Sequence, residues 1–233
     1  MKNLMVYINP SKQFDSEHGR YVKIQINNSL KYWRPDDIIF VTNFPYEYHG
    51  IRALELDNMY CDFDPKACKI NVIYYLLKNN IINDITWFHD LEAWQINPFD
   101  LILERDIGLA DYGWKLKYNT GVIFFKPTAI DVFDLLRDEM YARKANEEPA
   151  LHELWKINKG YIKDRIQRLN ITYNFGKREH KHNLKIAELP LKILHFHPFR
   201  ENLLQKFNSL LPEDLKHLMK EHSNDNCQHR EDY

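Results

Sequence analysis

Short apolar runs alternate with longer amphipathic stretches along most of the chain. Leu4–Ile8 is an apolar run closed by Asn9-Pro10, which predicts a first strand. Tyr21, Val22, Ile24, Ile26, Leu30 and Trp33 then recur at roughly helical spacing, predicting a helix from about Gly19 to Trp33. Arg34–Asp37 break that pattern; Ile38–Thr42 predicts a second strand and Ile51–Leu56 a short third. Asp64-Pro65 opens a helix running to Lys78, with Asp suited to the cap and Pro to the first helical position. Ile85–Phe88 and Val122–Phe125 read as strands, and Ala129–Arg143 and Pro149–Asn158 as helices. Leu169–Tyr173 and Lys192–Phe196 are further strand candidates, and one or two short helices are expected after Pro198. Strand–helix alternation from Leu4 to Phe88 predicts an α/β fold, a mostly parallel central sheet flanked by helices. The reading is a single domain over residues 1–223, with a polar tail over 224–233.

Charge narrows the partners. Lys plus Arg number 32 and Asp plus Glu 33, for a net charge of -1. This balance gives no basic excess of the kind nucleic-acid binding requires, so no nucleic-acid partner is expected. Lys177–His182 is a local basic cluster, read either as a loop closing over phosphate or as plain surface. The apolar run after Met1 is too short for a signal peptide, and no stretch approaches a membrane span. Cys61, Cys68 and Cys227 form no even disulfide framework, which points to a reducing, cytoplasmic setting.

Trp87-Phe88-His89-Asp90-Leu91-Glu92-Ala93-Trp94 is the most informative stretch. In extended backbone, side chains two apart point the same way, so Asp90 and Glu92 converge while Leu91 and His89 face away. Two adjacent carboxylates are costly unless a cation or hydrogen-bond donors compensate. Mn²⁺ or Mg²⁺ would compensate and bridge to phosphate oxygens, whereas the bland reading is a solvated acidic turn. The position just beyond a strand suits a ligand crevice at the carboxyl edge of an open sheet. The chain lacks the glycine-rich fingerprints of dinucleotide and P-loop sites.

These segments resemble glycosyltransferases of the A-type fold, whose Asp-x-Asp motif stands here as Asp90-Leu91-Glu92. The resemblance extends to Tyr118-Asn119-Thr120-Gly121-Val122, to Asn146-Glu147-Glu148-Pro149 and to Ile193-Leu194-His195-Phe196-His197, spanning roughly residues 4–200. Small virus-encoded transferases that decorate capsid proteins are similar in general appearance, which would place the chain in a host cytoplasm. The resemblance implies metal ligation by Asp90, Glu92 and His195. It also implies donor contacts from Tyr7, Asn9, Lys12, Lys66, Lys69, Asp90, Asn119, Thr120 and Gly121. Glu148 is the first candidate for a base, with Glu147 and Asp111 close behind. The implied reaction moves a sugar from a nucleoside diphosphate, with uridine diphosphate favoured, to an acceptor hydroxyl on a glycan or glycoprotein. Retention and inversion both stay open. A sugar-phosphate nucleotidyltransferase and a non-catalytic nucleotide-sugar-binding module remain the alternatives.

Overall fold

The computed structural model describes residues 1–113, 117–176, 180–200 and 203–223. The expected polar tail and Lys177–Glu179 of the basic cluster lie outside the described residues. The strands are β1 (Lys2–Tyr7), β2 (Ile38–Thr42), β3 (Glu47–Tyr48), β4 (Ile51–Arg52), β5 (Leu54–Glu55), β6 (Thr86–His89), β7 (Ala93–Gln95), β8 (Ile107–Ala110), β9 (Val122–Phe125), β10 (Ile166–Leu169) and β11 (Ile193–His195). The helices are α1 (Ser16–Ser29), α2 (Cys68–Lys78), α3 (Ile130–Arg143), α4 (Glu147–Ile157), α5 (Ile162–Arg165), α6 (His180–Ile186), α7 (Leu203–Phe207) and α8 (Glu213–Ser223).

Seven strands form one sheet in the order β10-β8-β9-β6-β1-β2-β5. β1 pairs in parallel with β2 and β6, β2 with β5, and β8 with β10. β9 alone reverses, running antiparallel to both β6 and β8. The sheet is therefore mostly parallel, and its central strands are buried on both faces, as such sheets require. Alternation in β1 shows how: Leu4 joins a core with Ile70, Val72 and Ile73 of α2 and Phe133 of α3, while Met5 joins one with Tyr21 and Val22 of α1 and Leu215 of α8.

Two small ribbons complete the fold. β3 and β4 form a hairpin, so the stretch read as one strand over Ile51–Leu56 divides between that hairpin and the edge of the large sheet. β7 and β11 pair antiparallel, with His195 opposite Ala93. The strand expected over Leu169–Tyr173 instead ends at Leu169. There Asn170 accepts a hydrogen bond from the Thr172 amide and starts a 3-10 turn over Ile171–Tyr173. No helix among the described residues is long and apolar enough to cross a membrane.

The start of α2 is built as its sequence predicts. Asp64 accepts from the Lys66 amide, Pro65 opens a 3-10 turn, and α2 follows at Cys68. The second Asp64 oxygen accepts from the Asn146 side chain at 3.0 Å, tying this start to the start of α4. Asp64→Ala is expected to lower stability by about 1–2 kcal/mol, the upper range for a lost cap. Urea unfolding measures this, and an unchanged midpoint would show that the cap contributes nothing.

Candidate active site

β1 and β6 are parallel neighbours, so their carboxyl ends open on the same edge of the sheet. A cleft of about 450 Å³ lies there, lined by Tyr7 and Asn9 after β1, Lys66 and Lys69 at the start of α2, and Asp90 and Glu92 after β6. The expected donor-site residues Tyr7, Asn9, Lys66, Lys69 and Asp90 thus share one cavity. Tyr7 is tethered, with its hydroxyl 2.8 Å from Asn9 Nδ2 and 3.2 Å from Asp15 Oδ2. Lys12 points elsewhere and forms an exposed ion pair with Asp57 at 3.0 Å.

Asp90 and Glu92 converge by a route other than strand alternation. The Ala93 amide donates to the Asp90 carbonyl at 3.0 Å, closing a turn between β6 and β7. Leu91 is buried in the core beneath that turn, which leaves the two acidic side chains on its cleft side. Pairing of β11 with β7 then delivers His195, whose neighbour Phe196 donates its amide to the Glu92 carbonyl. One ligand atom from each of Asp90, Glu92 and His195 lies within 4.8 Å of the others. His195 Nε2 is 3.9 Å from Asp90 Oδ2 and 3.8 Å from Glu92 Oε1.

This donor set fits a divalent cation. Two ligands about 2.1 Å from one ion stand at most about 4.2 Å apart, and both histidine–carboxylate distances fall inside that limit. His195 Nδ1 lies 2.9 Å from Asn174 Oδ1, an acceptor, so the proton sits on Nδ1 and Nε2 keeps its lone pair for a metal. Gly121 makes room. Its carbonyl accepts from the Asp90 amide at 2.8 Å, and a Cβ there would lie 2.1 Å from His195 Cε1 and 2.8 Å from Asp90 Oδ2.

Lys69 brings a buried positive charge to the acidic pair. Its ammonium is 3.1 Å from Asp90 Oδ1 and 2.8 Å from Glu147 Oε1, with Lys69 and Glu147 both buried. Burial pushes the ammonium down, but the Asp90 and Glu147 carboxylates outweigh that and raise it above the ordinary lysine range. Glu147 also accepts from Thr120 Oγ1 at 2.8 Å, while its Oε2 is buried without a hydrogen-bond partner. Glu148 receives the Tyr112 hydroxyl, with both of its oxygens at 2.9 Å, and Lys117 stands 3.5 Å away. Asp111 pairs with Arg168 at 2.6 Å and accepts from the Gly113 amide.

His89 faces away from the triad and stacks on Trp87 with ring centroids 4.1 Å apart. Burial holds it down at about 4, so it is a neutral core histidine at ordinary pH. Burial likewise pushes the Cys68 thiol, which lines the cleft, up to about 11, so it offers no thiolate.

Sequence reasoning missed several residues here. Arg200 lines the cleft and is held by Glu17 at 2.7 Å. His197 is not among those missed: the sequence puts it on the same strand side as His195, within reach of the site, and its Nε2 lies 3.5 Å from Glu92. Asn174 and Tyr112 carry no motif and emerge only from the hydrogen bonds just described. Arg200 had a weak signal, being a cation three residues beyond the His195–His197 pair.

No protein-family model matches the chain, and no curated protein matches it. Solved structures do. A galactosyltransferase, LgtC, in complex with donor and acceptor sugar analogs, is 13% identical with a TM-score of 0.57, covering 94% of this chain and 100% of that one. The glycosyltransferase GlyE of Streptococcus pneumoniae TIGR4 is 15% identical with a TM-score of 0.61, over 94% of this chain and 62% of that one. A glycosyltransferase involved in glycosylation of the major capsid of PBCV-1 is 12% identical with a TM-score of 0.53, over 90% and 98%. The chain has the A-type glycosyltransferase fold.

Proposed function

We propose that this protein transfers a sugar from a nucleoside diphosphate sugar, preferentially a uridine diphosphate sugar, to a hydroxyl of a glycan or glycoprotein. The observation that carries the reading is the convergence of Asp90, Glu92 and His195 beside a cleft at the carboxyl edge of an A-type sheet. Mn²⁺ or Mg²⁺ bound there would neutralise charge developing on the departing diphosphate. Lys69 holds Asp90 by one oxygen, leaving the other turned to His195. Tyr7, Asn9 and Lys66 then face the nucleotide half of the donor, while Asn119, Thr120 and Gly121 are buried behind the cation site and support it without lining the cleft. All three candidate bases have partners, but Glu147 and Asp111 are buried and in close ion pairs, with Lys69 and Arg168, whereas Glu148 meets Tyr112 and, at 3.5 Å, Lys117. Glu148 keeps a more accessible carboxylate and is assigned to the acceptor side. The buried free thiols of Cys61 and Cys68 support a reducing, cytoplasmic setting, that of a host if the chain is virus-encoded.

The test is a donor-hydrolysis assay with uridine diphosphate sugars and Mn²⁺, repeated after chelation. Cation-dependent release of nucleoside diphosphate is expected. Release of monophosphate or pyrophosphate would instead indicate nucleotidyl transfer, and tight donor binding without any release would indicate a binding module. Glu148→Gln is expected to lower turnover with acceptor by about 10²-fold or more while donor affinity falls by no more than about threefold. Unchanged turnover would remove Glu148 from the mechanism.

A further inference from the structure

The polarity of the hydrogen bonds behind the triad is fixed by one backbone group. The Gly121 N–H can only donate, and it lies 2.9 Å from Asn119 Oδ1, so that side chain presents its oxygen to Gly121. The same oxygen lies 2.8 Å from the Asn174 amide nitrogen, which leaves Asn174 Oδ1 to accept from His195 Nδ1. In the other direction Asn119 Nδ2 donates to the Tyr112 oxygen at 3.1 Å, and the Tyr112 hydroxyl donates to Glu148. Each donor therefore points the same way, from His195 through Asn174, Asn119 and Tyr112 to Glu148. Asn174 and Asn119 are only 2% and 3% exposed, so water cannot readily replace either link.

We propose that Asn174, Asn119 and Tyr112 form a one-way hydrogen-bond relay coupling the cation site, through His195, to the carboxylate of Glu148. The inference rests on reading Asp90, Glu92 and His195 as a divalent-cation site. An imidazole that gives its Nε2 lone pair to a cation becomes a stronger donor at Nδ1, and aligned amides pass that polarisation on. The coupling is reciprocal: negative charge on Glu148 polarises the relay in the sense that makes His195 a better ligand. Asn174, Asn119 and Tyr112 are positioning residues. They act through His195 at one end and Glu148 at the other.

The test uses the full chain with Mn²⁺ alone, without donor or acceptor, and measures affinity from the paramagnetic resonance of free Mn²⁺. Asn174→Leu cuts the relay at its first link and is expected to weaken Mn²⁺ binding about tenfold or more. Tyr112→Phe touches no proposed cation ligand, yet is expected to weaken binding about two- to threefold by removing the last link. The double variant is expected to bind no more weakly than Asn174→Leu, because the relay is already cut. Asn174→Asp guards against a folding defect. It keeps an acceptor for His195 but sets a carboxylate oxygen against Asn119 Oδ1, so affinity should match or exceed wild type and ignore Tyr112→Phe. A Tyr112→Phe variant with wild-type affinity, or an effect that adds in full to either Asn174 variant, would overturn the relay. Absence of Mn²⁺ binding by the wild type, or binding indifferent to Asp90→Ala, would instead sink the cation site and the relay with it.

Discussion

Gly121→Ala is expected to abolish Mn²⁺-dependent donor binding as completely as Asp90→Ala. The two changes reach that result differently. Asp90→Ala removes an oxygen proposed to coordinate the cation, whereas a Cβ on Gly121 would lie 2.1 Å from His195 Cε1 and press on Asp90 Oδ2. His195 cannot retreat cheaply, because it is fully buried and its Nδ1 is held by Asn174. Gly121 cannot retreat either, since its carbonyl and amide are both hydrogen-bonded, to the Asp90 amide and to Asn119 Oδ1. The added methyl must displace a ligand, and a closely packed site yields by losing geometry. Calorimetric titration of a uridine diphosphate sugar with and without Mn²⁺ provides the measurement. Cation-dependent affinity retained by Gly121→Ala would show that His195 is not a ligand.

Lys69→Met is expected to lower the unfolding free energy by about 3–5 kcal/mol, the usual cost of leaving a buried charge without its partner. The stranded group is chiefly Glu147, since Asp90 retains some contact with solvent. Adding Glu147→Gln should recover much of the loss, because an amide needs no counter-ion and can still accept from Thr120. The pH sign follows from the raised lysine. Its contribution is complete below the ordinary value of 10.5 and is lost only as pH climbs through the elevated one, so neutral-pH denaturation captures it in full. A cost below about 1 kcal/mol would mean that the three groups are not bound together in the folded protein.

Much of the scaffold was legible where apolar runs meet strong breakers. Ile38–Thr42 and Val122–Phe125 match their predicted limits, flanked by Pro35 and by Lys126-Pro127. β8 escaped notice because Ile-Gly-Leu-Ala is short, holds a glycine and lacks the β-branched density of a typical strand. β7 escaped because its three residues follow directly on the acidic turn and pair with a segment distant in sequence. The expected strand at Leu169–Tyr173 misjudged Asn170, whose side chain caps the next turn and takes the backbone out of the sheet.

The site divides in the same way. Asp90 and Glu92 stood out because paired carboxylates beyond a strand have recognisable metal chemistry, the family resemblance singled out His195, and the fold gathers all three. Lys69 looked like a phosphate contact because its sequence position revealed a cation but not the two carboxylates that claim it. Asn174 and Tyr112 have no chemistry that spacing could betray. An amide and a phenol gain meaning only from what they touch.

The pairing of β7 with β11 has a consequence for how the molecule is assembled. Asp90 and Glu92 belong to the first half of the chain, but the third member of their cluster arrives on β11, the last strand among the described residues. The last strand of the large sheet in sequence is β10, so that sheet can be complete before His195 joins Asp90 and Glu92. Only when β11 docks is the cluster complete, and an ion captured there would staple the late segment onto the early one. On the transferase reading, a chain in which β11 has not docked would lack the third ligand and hold the cation, and with it the donor, more weakly.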